Sequence, residues 1–189
     1  MGKQLWLIRH GETEWSRSGQ HTSRTDLPLT EEGEARARVL GETLRAKTFA
    51  AVLSSPLRRA FDTCRLAGLS PHAVLDDDLR EWDYGEYEGL TTASIREQRT
   101  EWSLWRDGAP GGETAAAVGA RVQRVIERAL AVNGDVALFA HGHLLRVFGA
   151  VWLGLPPSDG RFFVLGTGSI SRMGFERESR AMLEWNRQC

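Results

Sequence analysis

Apolar residues follow two rhythms along this chain. Three short runs are apolar without interruption: Leu5-Trp6-Leu7-Ile8, Ala51-Val52-Leu53 and Val136-Ala137-Leu138-Phe139-Ala140. Unbroken runs of this length suit strands covered on both faces, as in a parallel sheet. Between them the spacing is helical. Thr30 is placed as an N-cap, with Glu31 and Glu32 in the first turn and Val39, Leu40, Thr43 and Leu44 on one stripe, which predicts a helix over about 31–47. Ser55 as N-cap and Pro56 as first helical residue predict another, with Leu57, Phe61 and Cys64 buried and Gly68 ending it. Further helices are predicted over about 92–104 and 114–131, and over the stripe Leu144, Val147, Phe148, Val151 and Trp152, which Pro156-Pro157 closes off.

The remaining segments are less regular. Residues 11–28 have neither period and read as a loop, and loops this long in compact domains are usually functional. Ala73-Val74-Leu75 reads as a weak edge strand, with the acidic run Asp76-Asp77-Asp78 marking a turn after it. Residues 79–112, acidic and aromatic, read as an excursion over the sheet's edge and the crevice it borders. Strands are expected at 161–165, 169–175 and 181–185, forming a terminal hairpin region. The alternation predicts an α/β fold with a largely parallel sheet, and 189 residues fit one domain, 1–189.

Composition narrows the functional classes. Hydrophobic content is 41%, charged content 26% and formal net charge −1, so neither a nucleic-acid face nor a polybasic membrane anchor is expected. An anionic ligand must then be held by a few local arginines. Two cysteines, Cys64 and Cys189, form no disulfide framework. The chain starts into a strand without a hydrophobic signal region, and Arg146 interrupts its longest apolar stretch. A cytoplasmic protein is expected, with no membrane or nucleic-acid partner; a homo-oligomer is left open.

Polar residues stand where the strands end. Arg9-His10-Gly11 follows the first run, Ser54-Ser55 with Arg58 the second, and His141-Gly142-His143 the third. Parallel strands bring their carboxyl ends to one side of the sheet, where open α/β folds keep their ligand crevice. Two arginines, imidazoles and a helix start converging there make a phosphate site. Phosphoryl transfer needs charge stabilisation, an in-line nucleophile and a proton for the leaving oxygen. Arg9, Arg58 and His141 are candidates for the first and His10 for the second. For the third the acidic segment offers Glu81, with Asp83, Glu86 and Glu88 as competitors. No metal or other cofactor is expected, since the arginines supply the cationic charge. Arg59 reads as a solvated neighbour, His21 and His72 as surface residues, and Cys64 as core.

The blocks Leu7-Ile8-Arg9-His10-Gly11-Glu12-Thr13, Ser54-Ser55-Pro56-Leu57-Arg58-Arg59-Ala60 with Thr63, Leu79-Arg80-Glu81 through Glu88-Gly89, and Ala140-His141-Gly142-His143 resemble, in order, the signatures of the histidine phosphatase superfamily. That resemblance covers most of the chain. It implies a phosphoglycerate mutase-like fold: three layers, a mostly parallel central sheet, helices on both faces. It also implies a phosphohistidine intermediate at His10, phosphate-pocket roles for Arg9, Arg58 and His141, and Glu81 as proton donor. Within the family, residues 13–22, 76–85 and 139–143 are most similar to the sedoheptulose-1,7-bisphosphatase branch and its acid-phosphatase-like relatives. In that branch the positions of Tyr84 and Arg146 touch substrate; Thr22, Ser23 and His143 join them as candidates. Ser16 and Ser23 stand where many relatives have Asn and Gly, in the loop that frames the substrate.

The implied activity is metal-independent hydrolysis of small phosphomonoesters, sugar phosphates or phospho-acids. Three other readings are set beside it: a phosphoglycerate mutase, a metallohydrolase using His10, His141 and His143, and a phosphate-binding module without catalysis. The chain has little extra sequence for the closing lid a mutase needs. The histidine spacing fits no standard zinc motif.

Overall fold

The computed structural model describes residues 2–188; Cys189 lies outside them. Six strands among the described residues form one sheet: β1 (Leu5–Arg9), β2 (Ala51–Ser54), β3 (Ala73–Leu75), β4 (Val136–Ala140), β5 (Ser169–Glu176) and β6 (Ser179–Gln188), in the order β3-β2-β4-β1-β5-β6. Parallel pairing joins β1 to β4, β4 to β2 and β2 to β3, while β5 and β6 add an antiparallel edge. The α/β fold with its mostly parallel sheet is the one the sequence predicts.

Strand alternation sorts the core into two halves. Trp6, Ile8, Val52, Ala137, Phe139 and Ile170 face one side. They pack against α2 (Glu31–Leu44) and α3 (Arg58–Leu66) through Leu40, Leu44 and Cys64. Leu5, Leu7, Val136, Leu138 and Ala140 face the other, against α6 (Ala115–Ala131) and α7 (Gly142–Trp152). With each central strand covered on both faces, the unbroken apolar runs are explained. Leu79, Trp82, Tyr84, Ile95, Trp102 and Leu104 join the second cluster. The segment after β3 is thus anchored by aromatic burial, worth roughly 1.5–3 kcal/mol for each large side chain removed from water. No helix among the described residues is long and apolar enough to cross a membrane.

Several expectations need correcting. The loop 11–28 contains a short helix, α1 (Glu14–Ser18), closed by a Thr13–Ser16 capping box. In α2 the Thr30 cap is present, accepting from Gly33 N–H, but Val39 is exposed and Ala37 takes the buried stripe instead. Ser55 and Pro56 do not open α3: Leu57 is still extended and the helix begins at Arg58. The helix expected over 92–104 is two, α4 (Thr92–Gln98) and α5 (Leu104–Asp107). Residues 161–165 form no strand, because a 3-10 turn occupies Pro157–Phe162.

Where the chain leaves β1 it crosses the start of α2 at backbone contact. A Cβ on Gly33 would lie 2.3 Å from the Glu12 carbonyl oxygen, and one on Gly11 would lie 2.5 Å from that of Gly33. Exchanging glycine for alanine inside a helix ordinarily stabilises by about 1 kcal/mol. Here the sign should reverse: Gly33→Ala is expected to destabilise by roughly 1–3 kcal/mol through overpacking, read as a lowered urea midpoint. A raised midpoint would show that the two segments are not in contact.

Candidate active site

Adjacent parallel strands bring the key residues together. Arg9 is in register with Ala140, so the residues that follow, His10 and His141, leave the sheet side by side with ring centroids 5.2 Å apart. Next along the sheet, β2 ends in Ser54-Ser55, and Ser55 Oγ shares a 2.8 Å hydrogen bond with His141 Nε2. The His141 Nδ1 is buried and has no hydrogen-bond partner among the described residues.

The tautomer of His10 follows from its neighbour. Its Nδ1 lies 2.6 Å from the Gly11 carbonyl oxygen, which can only accept, so Nδ1 carries the proton and Nε2 keeps its lone pair. Gly11 is held in turn by its own N–H donating to Thr63 Oγ1. The His10 ring is 5% exposed. Burial, reinforced by the Arg59 and Arg9 charges, holds its pKa well below the usual imidazole value. It is therefore neutral at neutral pH, as a nucleophile must be.

Arg9 borders the pocket and donates to the Leu165 carbonyl, while its Nε is buried without a partner among the described residues. Gly142 makes room for it: a Cβ there would lie 3.1 Å from the guanidinium carbon.

The second cation is not the expected one. Arg58 is exposed and pairs with Asp62 one turn along the helix, its backbone N–H donating to Asp26. Arg59, read from the sequence as a solvated neighbour, is 1% exposed. It donates to the carbonyls of Thr22, Ser23 and Thr25, and its charge bears on His10 and His141. The reason is helical phase. Because α3 starts at Arg58, its buried stripe runs through Arg59, Ala60, Thr63 and Cys64. The Arg59–Thr63 spacing of four, with Thr63 Oγ1 donating to the Arg59 carbonyl, was the available signal. Cys64 is core; burial pushes its thiol up to about 12.

Glu81 is the carboxylate that reaches the pocket. Its oxygens accept from the N–H groups of Trp82, His143 and Leu144 at 2.8, 3.1 and 2.9 Å, which anchors it to the start of α7. Its competitors are otherwise engaged. Glu88 accepts from Ser23 N–H, Ser23 Oγ and Thr25 N–H, and Asp83 pairs with Arg24; Glu86 does not border the pocket.

The pocket has a volume of about 250 Å³, and Arg9, His10 and Glu81 are among the residues that line it. Its outer wall contains Thr13, Ser16, Gln20, His21, Thr22, Tyr84, Thr92, His143 and Arg146. Four of the five residues expected at the substrate are there: Thr22, Tyr84, His143 and Arg146. Ser23 is not; it is buried behind the wall, holding Glu88. His21, expected at the surface, is 8% exposed, its ring 4.6 Å from that of Tyr84, and burial lowers its pKa to about 4. No periodicity in the loop signals that position. The Tyr84 hydroxyl meets His143 Nδ1 at 2.6 Å. Burial raises the phenol's pKa and lowers that of the imidazole, so both are neutral. Arg146 lies over the Trp105 ring at 4.5 Å and donates to the carbonyls of Gly160 and Arg161.

Residues 5–188 match the family model of the histidine phosphatase superfamily, branch 1. The chain is 41% identical over 183 residues to an acid phosphatase of Mycobacterium tuberculosis, covering 95% of this chain and 90% of that one. It is 40% identical over 182 residues to sedoheptulose 1,7-bisphosphatase of Saccharomyces cerevisiae, covering 79% of this chain and 67% of the yeast protein. Among solved structures, the vanadate (VO3) complex of a mycobacterial glucosyl-3-phosphoglycerate phosphatase superposes with a TM-score of 0.87 at 28% identity, covering 98% and 100% of the two chains. With the family model matched over residues 5–188 and phosphatase relatives about 40% identical, this chain belongs to the histidine phosphatase superfamily, branch 1, and is a phosphoric monoester hydrolase.

Proposed function

We propose that this chain hydrolyses phosphomonoesters of small metabolites, sugar phosphates or phospho-acids, in two displacements at His10. The observation that carries this reading is the His10 ring: neutral, locked in one tautomer, and bordering the pocket beside Arg9. In the first displacement Nε2 attacks phosphorus, the ester P–O bond breaks, and Glu81 gives a proton to the leaving oxygen. In the second a water attacks the phosphohistidine, Glu81 takes its proton, and the P–N bond returns its electron pair to Nε2. Arg9 at the pocket, with Arg59 and His141 next to His10, supplies the positive charge and N–H donors for the transferred group. Thr22, Tyr84, His143 and Arg146 face the rest of the substrate.

The name of one relative, an acid phosphatase, accords with a nucleophile that stays unprotonated in acid. The His10 pKa is depressed, so its neutral form persists as pH falls through about 6.5, the ordinary imidazole value. An NMR titration of the free enzyme should therefore find the His10 ring neutral below that pH. Replacing Arg59 by methionine removes one of the charges that oppose protonation and should move the titration upward. Titration of His10 at the ordinary value would contradict the burial described above.

Substitutions separate the two neighbouring arginines. His10→Ala should lower kcat on p-nitrophenyl phosphate by at least about a thousandfold. Arg59→Met should cost roughly a hundredfold, as for loss of one transition-state donor, whereas Arg58→Met should stay within about threefold, as expected of an exposed ion pair. Wild-type turnover in His10→Ala would end the proposal. The reverse order for the arginines would return the anion site to Arg58.

A further inference from the structure

We infer that Arg121 is a positioning residue for Glu81, working with Glu113 as a clamp on the backbone that carries the acid. The inference rests on the reading of Glu81 as proton donor. Arg121 lies in α6, outside the pocket, and is buried at 8% exposure. A guanidinium has five N–H donors, and here all are engaged. Nε and one Nη2 hydrogen go to the two Glu113 oxygens at 2.8 Å each, a bidentate pair. Nη1 donates to the carbonyls of Asp78 and Arg80 at 2.8 and 2.6 Å, and Nη2 also to the Glu81 carbonyl at 3.0 Å.

Glu113 holds the other side of the same segment. Its carboxylate accepts from Asp83 N–H, and its backbone carbonyl accepts from the Trp82 indole. Its N–H donates to the Asp83 carbonyl. Each of residues 78–83 is thus bonded to Arg121 or Glu113, except Leu79, which is buried in the core. The segment has no regular structure past its first 3-10 turn, Asp77–Leu79, so no helix or sheet ladder of its own holds the backbone that carries Glu81. Gly112 permits the approach: a Cβ there would lie 2.3 Å from the Asp83 carbonyl oxygen. An ion pair this buried is a poor source of net stability. Its five directional bonds are better suited to fixing geometry, and small errors in the placement of a catalytic group are costly in rate.

Leaving-group chemistry tests this specifically. p-Nitrophenolate departs without a proton, while the alkoxide of glycerol 2-phosphate needs one. Arg121→Lys keeps the charge but loses the planar fork. It should lower kcat/KM, which reports the first displacement alone, by about tenfold or more on glycerol 2-phosphate and by no more than about threefold on p-nitrophenyl phosphate. In a Glu81→Gln background it should add no further loss. Glu113→Gln should give the same selective pattern, and carries the test if Arg121→Lys does not fold. Equal losses of kcat/KM on both esters, or losses that multiply with Glu81→Gln, would overturn the inference. If Glu81→Gln alone shows no leaving-group dependence, the assignment of Glu81 as acid fails instead.

Discussion

Two guanidinium groups beside two neutral imidazoles are the constraint around which the rest of this structure is arranged. Arg59 is buried and Arg9, at the pocket, half-buried, and burial lowers both pKa values, with the Glu81 charge opposing that shift. Buried charge is costly unless it is paired and hydrogen-bonded. The fold meets part of that cost with carbonyls: Leu165 for Arg9, and Thr22, Ser23 and Thr25 for Arg59. Nε of each stays without a partner among the described residues. A phosphoryl group brings to such a site both the negative charge and the acceptors that the cluster lacks.

The same cations act on His10. They discourage protonation of His10, so the site that attracts an anion also keeps its imidazole neutral. In the proposed mechanism, attraction of substrate and activation of the nucleophile are then one electrostatic arrangement rather than two. Arg59 has a further effect, because the carbonyls it binds belong to the loop that forms the pocket's outer wall. Glu88 holds that loop from the other side through Ser23 and Thr25. The phosphate end and the specificity end of the pocket are therefore mechanically joined.

The strands, the major helices and the residues at the strand ends were legible in the sequence, because burial on both faces writes continuous apolar runs and the chemistry stands where they stop. His10 and His141 needed nothing more than parallel pairing of β1 with β4. The choice between Arg58 and Arg59 was not legible in the same way. It depends on a helix start two residues later than Ser55-Pro56 suggest, and one residue turns a helix by about 100°. His21 and Arg121 were hidden for different reasons. The first sits in a loop whose shape is set by distant partners, Leu90 and Gly89. The second lies on the inward stripe of an amphipathic helix, between Val118 and Val125, where the apolar residues carry the pattern and a charged one is passed over. Ser23 carried a family expectation of substrate contact that its hydrogen bond to Glu88 replaces.

Covalent catalysis at His10 is the central claim, and trapping the intermediate tests it most directly. Rapid acid-free quenching of the enzyme during turnover of a phosphorus-32-labelled ester should leave label on the protein that is stable in base, labile in acid, and mapped to the peptide containing His10. No label in the wild-type protein under turnover, or label of the same amount in His10→Ala, would contradict it.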